Sequence, residues 1–194
     1  MTTTQQLLIA GGGIGGLAAA FAAAHAGWEV RLFERAQEFS EVGAGIQIGP
    51  NVTRILRAWG LEQELAAAAA CPNRLQVRDA ISGAELGVLP LGQRALNRYG
   101  APYATIHRAD LHRMLSRALA RLPNVHLNLG CGLIEYADDG KAVTLTTGSG
   151  KQIEGDALVG ADGLWSRVRT LMLGDGQPQP TGHLAYRGML RQSA

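Results

Sequence analysis

The chain has 194 residues, of which 46% are hydrophobic and 18% charged, with a formal net charge of +2. That length can bury a real core in one or two domains, and the small charge, with no basic block, speaks against a nucleic-acid partner. No apolar run reaches the roughly 18 residues that a membrane span needs; residues 65–71 are alanine-rich but short.

The first six residues lack the basic start of a signal peptide and run straight into an apolar stretch. Cys71 and Cys131 have no CxxC partner and read as free thiols of a reducing compartment, so a cytoplasmic location is expected. Neither they nor the histidines His25, His112, His126 and His183 have metal-ligand or nucleophile spacing, and no metal is expected.

Residues 7–10 form a short apolar strand, followed by Gly11, Gly12, Gly13, Ile14, Gly15 and Gly16 and then by an alanine-dense helix expected over 17–26. Gly11, Gly13 and Gly16 satisfy GxGxxG between strand and helix, the context in which that pattern binds a dinucleotide. The first glycine permits the turn, the second lets a pyrophosphate approach the backbone, and the third lets helix and strand pack closely. The helix N-terminus then offers N–H groups and partial positive charge to the phosphates. A second strand over 28–33 ends at Glu34, about 20 residues on, where an acid accepts from ribose hydroxyls.

Residues 42–51 carry three glycines and a proline, which argues against a helix or a central strand there. Asn51 is the expected cap of a helix bearing Ile55, Leu56, Trp59 and Leu61 and ending at Gly60. Alternation over 75–80 and 84–89 about Ser82-Gly83 predicts a hairpin, a break in the strand–helix rhythm that suggests a second sheet. A helix is expected over 111–122 with Asp110 as its cap, and Arg108, just before it, is expected to face the start of the first helix.

Strands follow at 125–129, 132–136, 142–147 and 151–154, and the run 156–163 reads as a buried parallel strand returning to the first sheet, its carboxyl end at Asp162-Gly163. Trp165, Val168, Leu171 and Met172 have helical spacing, residues 174–182 read as a linker, and 183–190 as the start of a strand.

Taken together, residues 11–16, Glu34-Arg35, 42–51, 107–111 and Gly160-Ala161-Asp162-Gly163 resemble the N-terminal half of the group A FAD-dependent aromatic hydroxylases. Residues 98–103 and 185–188 are similar to the branch acting on 3-hydroxybenzoate, with salicylate hydroxylases as near neighbours. The resemblance implies an α/β, Rossmann-like FAD-binding domain over 1–72 and 101–177, with a parallel sheet, helices and a three-stranded crossover meander. It implies an incomplete substrate domain begun by 73–100 and 178–194.

It also implies FAD as cofactor, held by Gly11, Gly13, Ile14, Gly15, Gly16, Glu34, Arg35, Gly45, Gln47, Arg108 and Asp162. Glu34 would take the adenosine ribose, Arg108 the pyrophosphate and ribityl side, and 43–47 the flavin ring. Asp162 would serve flavin and pyridine nucleotide, with Arg167 and Arg169 as further candidates for the latter. NADH or NADPH is the implied cosubstrate, a small aromatic carboxylic acid and oxygen are the implied reactants, and a homodimer is implied at full length. No catalytic residue is assigned, because the family's phenol-activating base lies in its second half; Tyr186 and Arg187 only begin the substrate domain. A flavin-binding module or partner subunit without hydroxylase activity is the alternative reading.

Overall fold

The apolar runs at both ends of the chain build one sheet. In the computed structural model, which describes residues 4–39, 43–184 and 186, the strand β1 (Gln6–Ala10) is followed by the helix α1 (Ile14–His25) and by β2 (Glu29–Phe33). Then come β3 (Gly45–Ile48), α2 (Pro50–Ala58), α3 (Glu62–Ala68), β4 (Ala69–Ala70), β5 (Arg74–Arg78), β6 (Glu85–Pro90), α4 (Gln93–Tyr99) and β7 (Ala104–His107). The chain continues through α5 (Arg108–Leu119), β8 (Val125–Asn128), β9 (Leu133–Asp138), β10 (Val143–Thr147), β11 (Gln152–Gly155), β12 (Ala157–Gly160) and α6 (Arg167–Leu173). It divides into two units, Met1–Glu41 with Leu115–Tyr186 and Val42–Met114 with Arg187–Ala194.

In the first unit a wholly parallel sheet runs in the order β12-β1-β2-β8. Because β1 lies between β12 and β2, the chain leaves it to one side and returns on the other, which makes its carboxyl end the topological switch point where such sheets bind ligands. Leu8 and Ile9 of β1 and Val30 and Leu32 of β2 are fully buried, and α1 covers the strands with Leu17, Ala20 and Phe21. A meander in the order β11-β10-β9 closes the unit, and its Leu145 and Ile153 join Leu8 and Phe33 in one apolar cluster. Asp139 sits in the β9–β10 turn and accepts from the amides of Ala142 and Lys141, which holds its carboxyl below the usual range.

The second unit holds an antiparallel sheet, β3-β7-β4, and the separate hairpin β5-β6. The glycine-rich stretch after residue 42 therefore does form a strand, but on the edge of its sheet, where missing side chains cost little packing. Thr53 is buried in α2, its hydroxyl donating to the Pro102 carbonyl at 2.7 Å.

Several expectations need correction. The helix α1 starts at Ile14 rather than at 17, because Gly15 and Gly16 fit its first turn. Asn51 does not cap α2: Gly49 is the N-cap and Pro50, with its φ already helical, takes the first position. Asp110 lies inside the first turn of α5, where it pairs with Arg113 at 2.8 Å, and the helix ends at Leu119. The strand β12 is half-buried, because it is the edge of the described sheet. The short helices α3 and α4 were not foreseen. Of the strand expected over 183–190, residues 183, 184 and 186 have no strand pairing, and the others lie outside the described residues.

Candidate functional site

Three chain segments meet at the carboxyl end of β1. Gly11 leaves the strand with φ +106, donates its N–H to the Phe33 carbonyl at 2.8 Å, and lies so close to β12 that a Cβ there would stand 2.3 Å from the Ala161 carbonyl oxygen. Gly16, in the first turn of α1, abuts the Gly11 carbonyl; a Cβ on it would come within 1.9 Å of that oxygen. These two glycines are there for packing.

Gly13 differs. It is the N-cap of α1, its backbone is extended (φ −70, ψ 179), no side chain caps the helix, and a Cβ on it would meet nothing within 4 Å. Gly15 is equally open, and Ile14 is the first helical residue. The first-turn amides of an α-helix have no partner within the helix, and the space beside Gly13 and Gly15 is open. That is a cradle for a group bearing negative charge.

Glu34 stands beside it, directly after β2. Its Oε2 accepts the Gly12 N–H at 2.7 Å and its Oε1 the Ala36 N–H at 2.9 Å. A carboxylate can accept about four hydrogen bonds, so both oxygens keep capacity for a sugar hydroxyl while the backbone fixes their position. Arg35 is exposed, and its Cβ lies 2.8 Å from where a Cβ of Gly132 would stand, so it packs on the start of the meander.

Asp162, just after β12, is held by the turn that follows it. One oxygen accepts the Ser166 hydroxyl at 2.5 Å, and the other accepts the amides of Arg167 at 2.6 Å and Val168 at 3.1 Å. Ser166 in turn caps α6 by accepting the Arg169 amide at 3.0 Å. The pair thus anchors the N-terminus of α6. Sequence reading missed Ser166, although a serine just before a periodic apolar run is a cap signal. Arg167 and Arg169 are both exposed, but Arg167 donates its Nε–H to the Ile134 carbonyl of β9 at 2.9 Å and Arg169 is paired with Asp175.

The second unit carries the other expected residues. Gly45 pairs with His107 and Gln47 with Thr105 across β3 and β7, and both Gly45 and Gln47 are exposed. Arg108 donates its N–H to the Ala44 carbonyl at 3.2 Å, and Gly43 lies against its side chain, 2.9 Å from the Arg108 Cβ to a Cβ built on the glycine. Residues 43–47, which run into β3, and the start of α5 therefore lie side by side within that unit.

Among the described residues no group of three histidine, cysteine or acidic side chains could hold a metal, and no helix is long and apolar enough to cross a membrane. Cys71 and Cys131 are free.

The donor set fits FAD: amides at a helix start open to a diphosphate, and a positioned acid one strand away for a ribose. Comparison with known proteins agrees. The FAD binding domain family matches residues 4–179. Over 97% of its length the chain is 41% identical to 6-hydroxynicotinate 3-monooxygenase of Bordetella bronchiseptica, covering 49% of that protein. Over 96% it is 38% identical to 3-hydroxybenzoate 6-hydroxylase 1 of Aquipseudomonas alcaligenes, covering 47% of it. Among solved structures, Klebsiella pneumoniae HpxO complexed with FAD and uric acid superposes with a TM-score of 0.75 at 27% identity, over 88% of this chain and 42% of that one. The tetrameric form of 2-methyl-3-hydroxypyridine-5-carboxylic acid oxygenase superposes with a TM-score of 0.75 at 29% identity, over 88% and 43%. The chain spans about half the length of the curated relatives it matches, and it belongs to the FAD binding domain family, whose match takes in residues 4–179.

Proposed function

We propose that this chain is the flavin-holding part of an FAD-dependent monooxygenase that hydroxylates a small hydroxylated aromatic acid with NADH or NADPH and oxygen. The observation that carries the reading is the identity of 41% and 38%, over nearly the whole chain, to enzymes for 6-hydroxynicotinate and 3-hydroxybenzoate. Both compounds are six-membered aromatic rings bearing a hydroxyl and a carboxylate.

In this reading the amides at Gly13, Ile14, Gly15 and Gly16 bind the FAD diphosphate, with Gly11 shaping the turn, and Glu34 accepts from the adenosine ribose. Arg35 borders that end. Gly45, Gln47 and Arg108 flank the flavin side, where an exposed β3 backbone suits a flat ring and the Arg108 guanidinium suits a phosphate. Asp162 positions the turn after β12 by capping α6 and bears on the ligand through that turn. Held by these residues, FAD would supply the redox and oxygen chemistry, and the protein's share would be to bind, orient and exclude water. Residues 73–100 and 178–194 belong, in the same reading, to the domain that takes the aromatic acid.

Glu34→Ala tests the ribose assignment. It removes the acceptor of the part-buried Gly12 N–H, worth on the order of 1–3 kcal/mol when left unsatisfied, while the exposed Ala36 N–H turns to water. Urea unfolding should show a loss in that range, and FAD affinity should fall by at least about tenfold, the equivalent of one good hydrogen bond. Unchanged FAD affinity would remove Glu34 from the site.

The activity itself is tested by product analysis. The FAD-loaded chain alone is expected to make no hydroxylated product from either acid. Fused to the half of the Bordetella bronchiseptica relative that the match leaves uncovered, it should form product in step with NADH or NADPH consumed. A folded, FAD-bound fusion that consumes no nicotinamide with either acid would leave only a flavin-binding module.

A further inference from the structure

The second unit contains a cavity of about 470 Å³ lined by none of the residues assigned to FAD. It is built where α2, the end of β6 and α4 come together. Three arginines line it, Arg54 from α2 and Arg94 and Arg98 from α4, and no acidic side chain does. None of the three is ion-paired among the described residues. Gly49 and Pro50, the N-cap and first residue of α2, line it too, so the positive end of an uncapped nine-residue helix faces the same space.

The rest of the wall is apolar or aromatic. Leu91 and Ala95 are buried beneath it, and the Tyr99 and Tyr103 rings stand at its side, with the Arg98 guanidinium 5.3 Å from the Tyr99 ring centre. Three like charges gathered without a carboxylate repel one another, and a ligand with several negative charges relieves that repulsion. An aromatic monocarboxylate would neutralise one guanidinium. A diphosphate offers more charge and matches the fork geometry of arginine, and a nucleobase supplies a flat face for the tyrosines. The volume lies within the usual span of small-molecule pockets.

We propose that this cavity binds the adenosine diphosphate end of the nicotinamide cosubstrate. The proposal rests on the cosubstrate named under the proposed function, and it places that dinucleotide on α2 and α4 of the second unit instead of at Asp162, Arg167 and Arg169.

The probe is ADP, titrated calorimetrically into the chain already saturated with FAD, so that the glycine-loop site is closed to it. One equivalent should bind, competitively with NADH. The double variant Arg94→Ala/Arg98→Ala should weaken ADP by at least about tenfold, as expected for losing charge-assisted contacts, with FAD affinity unchanged. Arg121→Ala, an exposed arginine outside the cavity, should change neither. Absence of ADP uptake by the FAD-loaded chain, or uptake indifferent to the double variant, would overturn the proposal. So would tighter binding of 3-hydroxybenzoate than of ADP at the same arginines.

Should the double variant unfold, photolabelling of the unaltered chain with 8-azido-ADP gives the answer: label is expected on residues 89–103, and label elsewhere only would refute the site. Failure to take up FAD would count against the proposed function, and labelling of the Gly13→Val chain without FAD would still report on the cavity alone.

Discussion

Gly16→Ala should cripple folding, although alanine is the better helix former. In an exposed helix the exchange would gain about 1 kcal/mol. Here the new methyl would lie 1.9 Å from the Gly11 carbonyl oxygen, far inside contact distance, and 3.5 Å from the Ala161 Cβ. The oxygen cannot retreat, because the Gly11 N–H is held by Phe33 and the glycine itself is pressed against the Ala161 carbonyl. Relief requires α1 to slide off β1, which uncovers Leu17, Ala20 and Phe21. A cost of at least about 3 kcal/mol is expected, the upper range for overpacking, out of a total stability on the order of 5–15 kcal/mol. Urea unfolding followed by circular dichroism measures it. A loss below about 1 kcal/mol would mean that helix and strand are not packed through these glycines.

Gly13→Val, three residues earlier, should do the reverse: keep the fold and lose the flavin. Its backbone is extended, a conformation valine accepts, and nothing in the protein lies within 4 Å of the new Cβ. Poorer helix capping costs up to about 1 kcal/mol. The isopropyl group would occupy the space in front of the first-turn amides, so a diphosphate could no longer reach them. Two lost hydrogen bonds to a charged group, at about 1.5–3 kcal/mol each, correspond to a fall in FAD affinity of roughly 10²-fold or more. Flavin fluorescence titration reads the affinity and circular dichroism the fold. Full affinity in a folded variant would locate the phosphate site elsewhere.

The contrast between these glycines shows what a sequence can disclose. The strand, the glycines, the helix and the second strand ending at Glu34 were legible because their signals are local: an apolar run, a spacing, a count of about 20 residues. The meander was legible for the same reason, through alternation interrupted at Asp138-Asp139-Gly140. What was lost depends on contacts between distant residues. β3 is a strand only because β7 pairs with it. Asp162 is visible as an acid at a strand end, but the bonds its oxygens accept from Ser166, Arg167 and Val168 are not. The arginine-lined cavity is assembled from three elements, one of which, α4, is seven residues long and begins after a glycine. The spacing of Arg94 and Arg98, four apart, was the one available hint, since such residues share a helix face.

The most direct measurement is equilibrium dialysis of the purified chain against FAD, FMN and NAD at equal concentrations. FMN lacks the adenosine that Glu34 would grip and the second half of the diphosphate linkage, while NAD lacks the flavin ring that 43–47 and Arg108 would flank. FAD should therefore bind tightest, with FMN and NAD each at least about tenfold weaker, a difference of about 1.4 kcal/mol. Binding of NAD equal to or better than FAD would contradict a flavin site at the carboxyl end of β1.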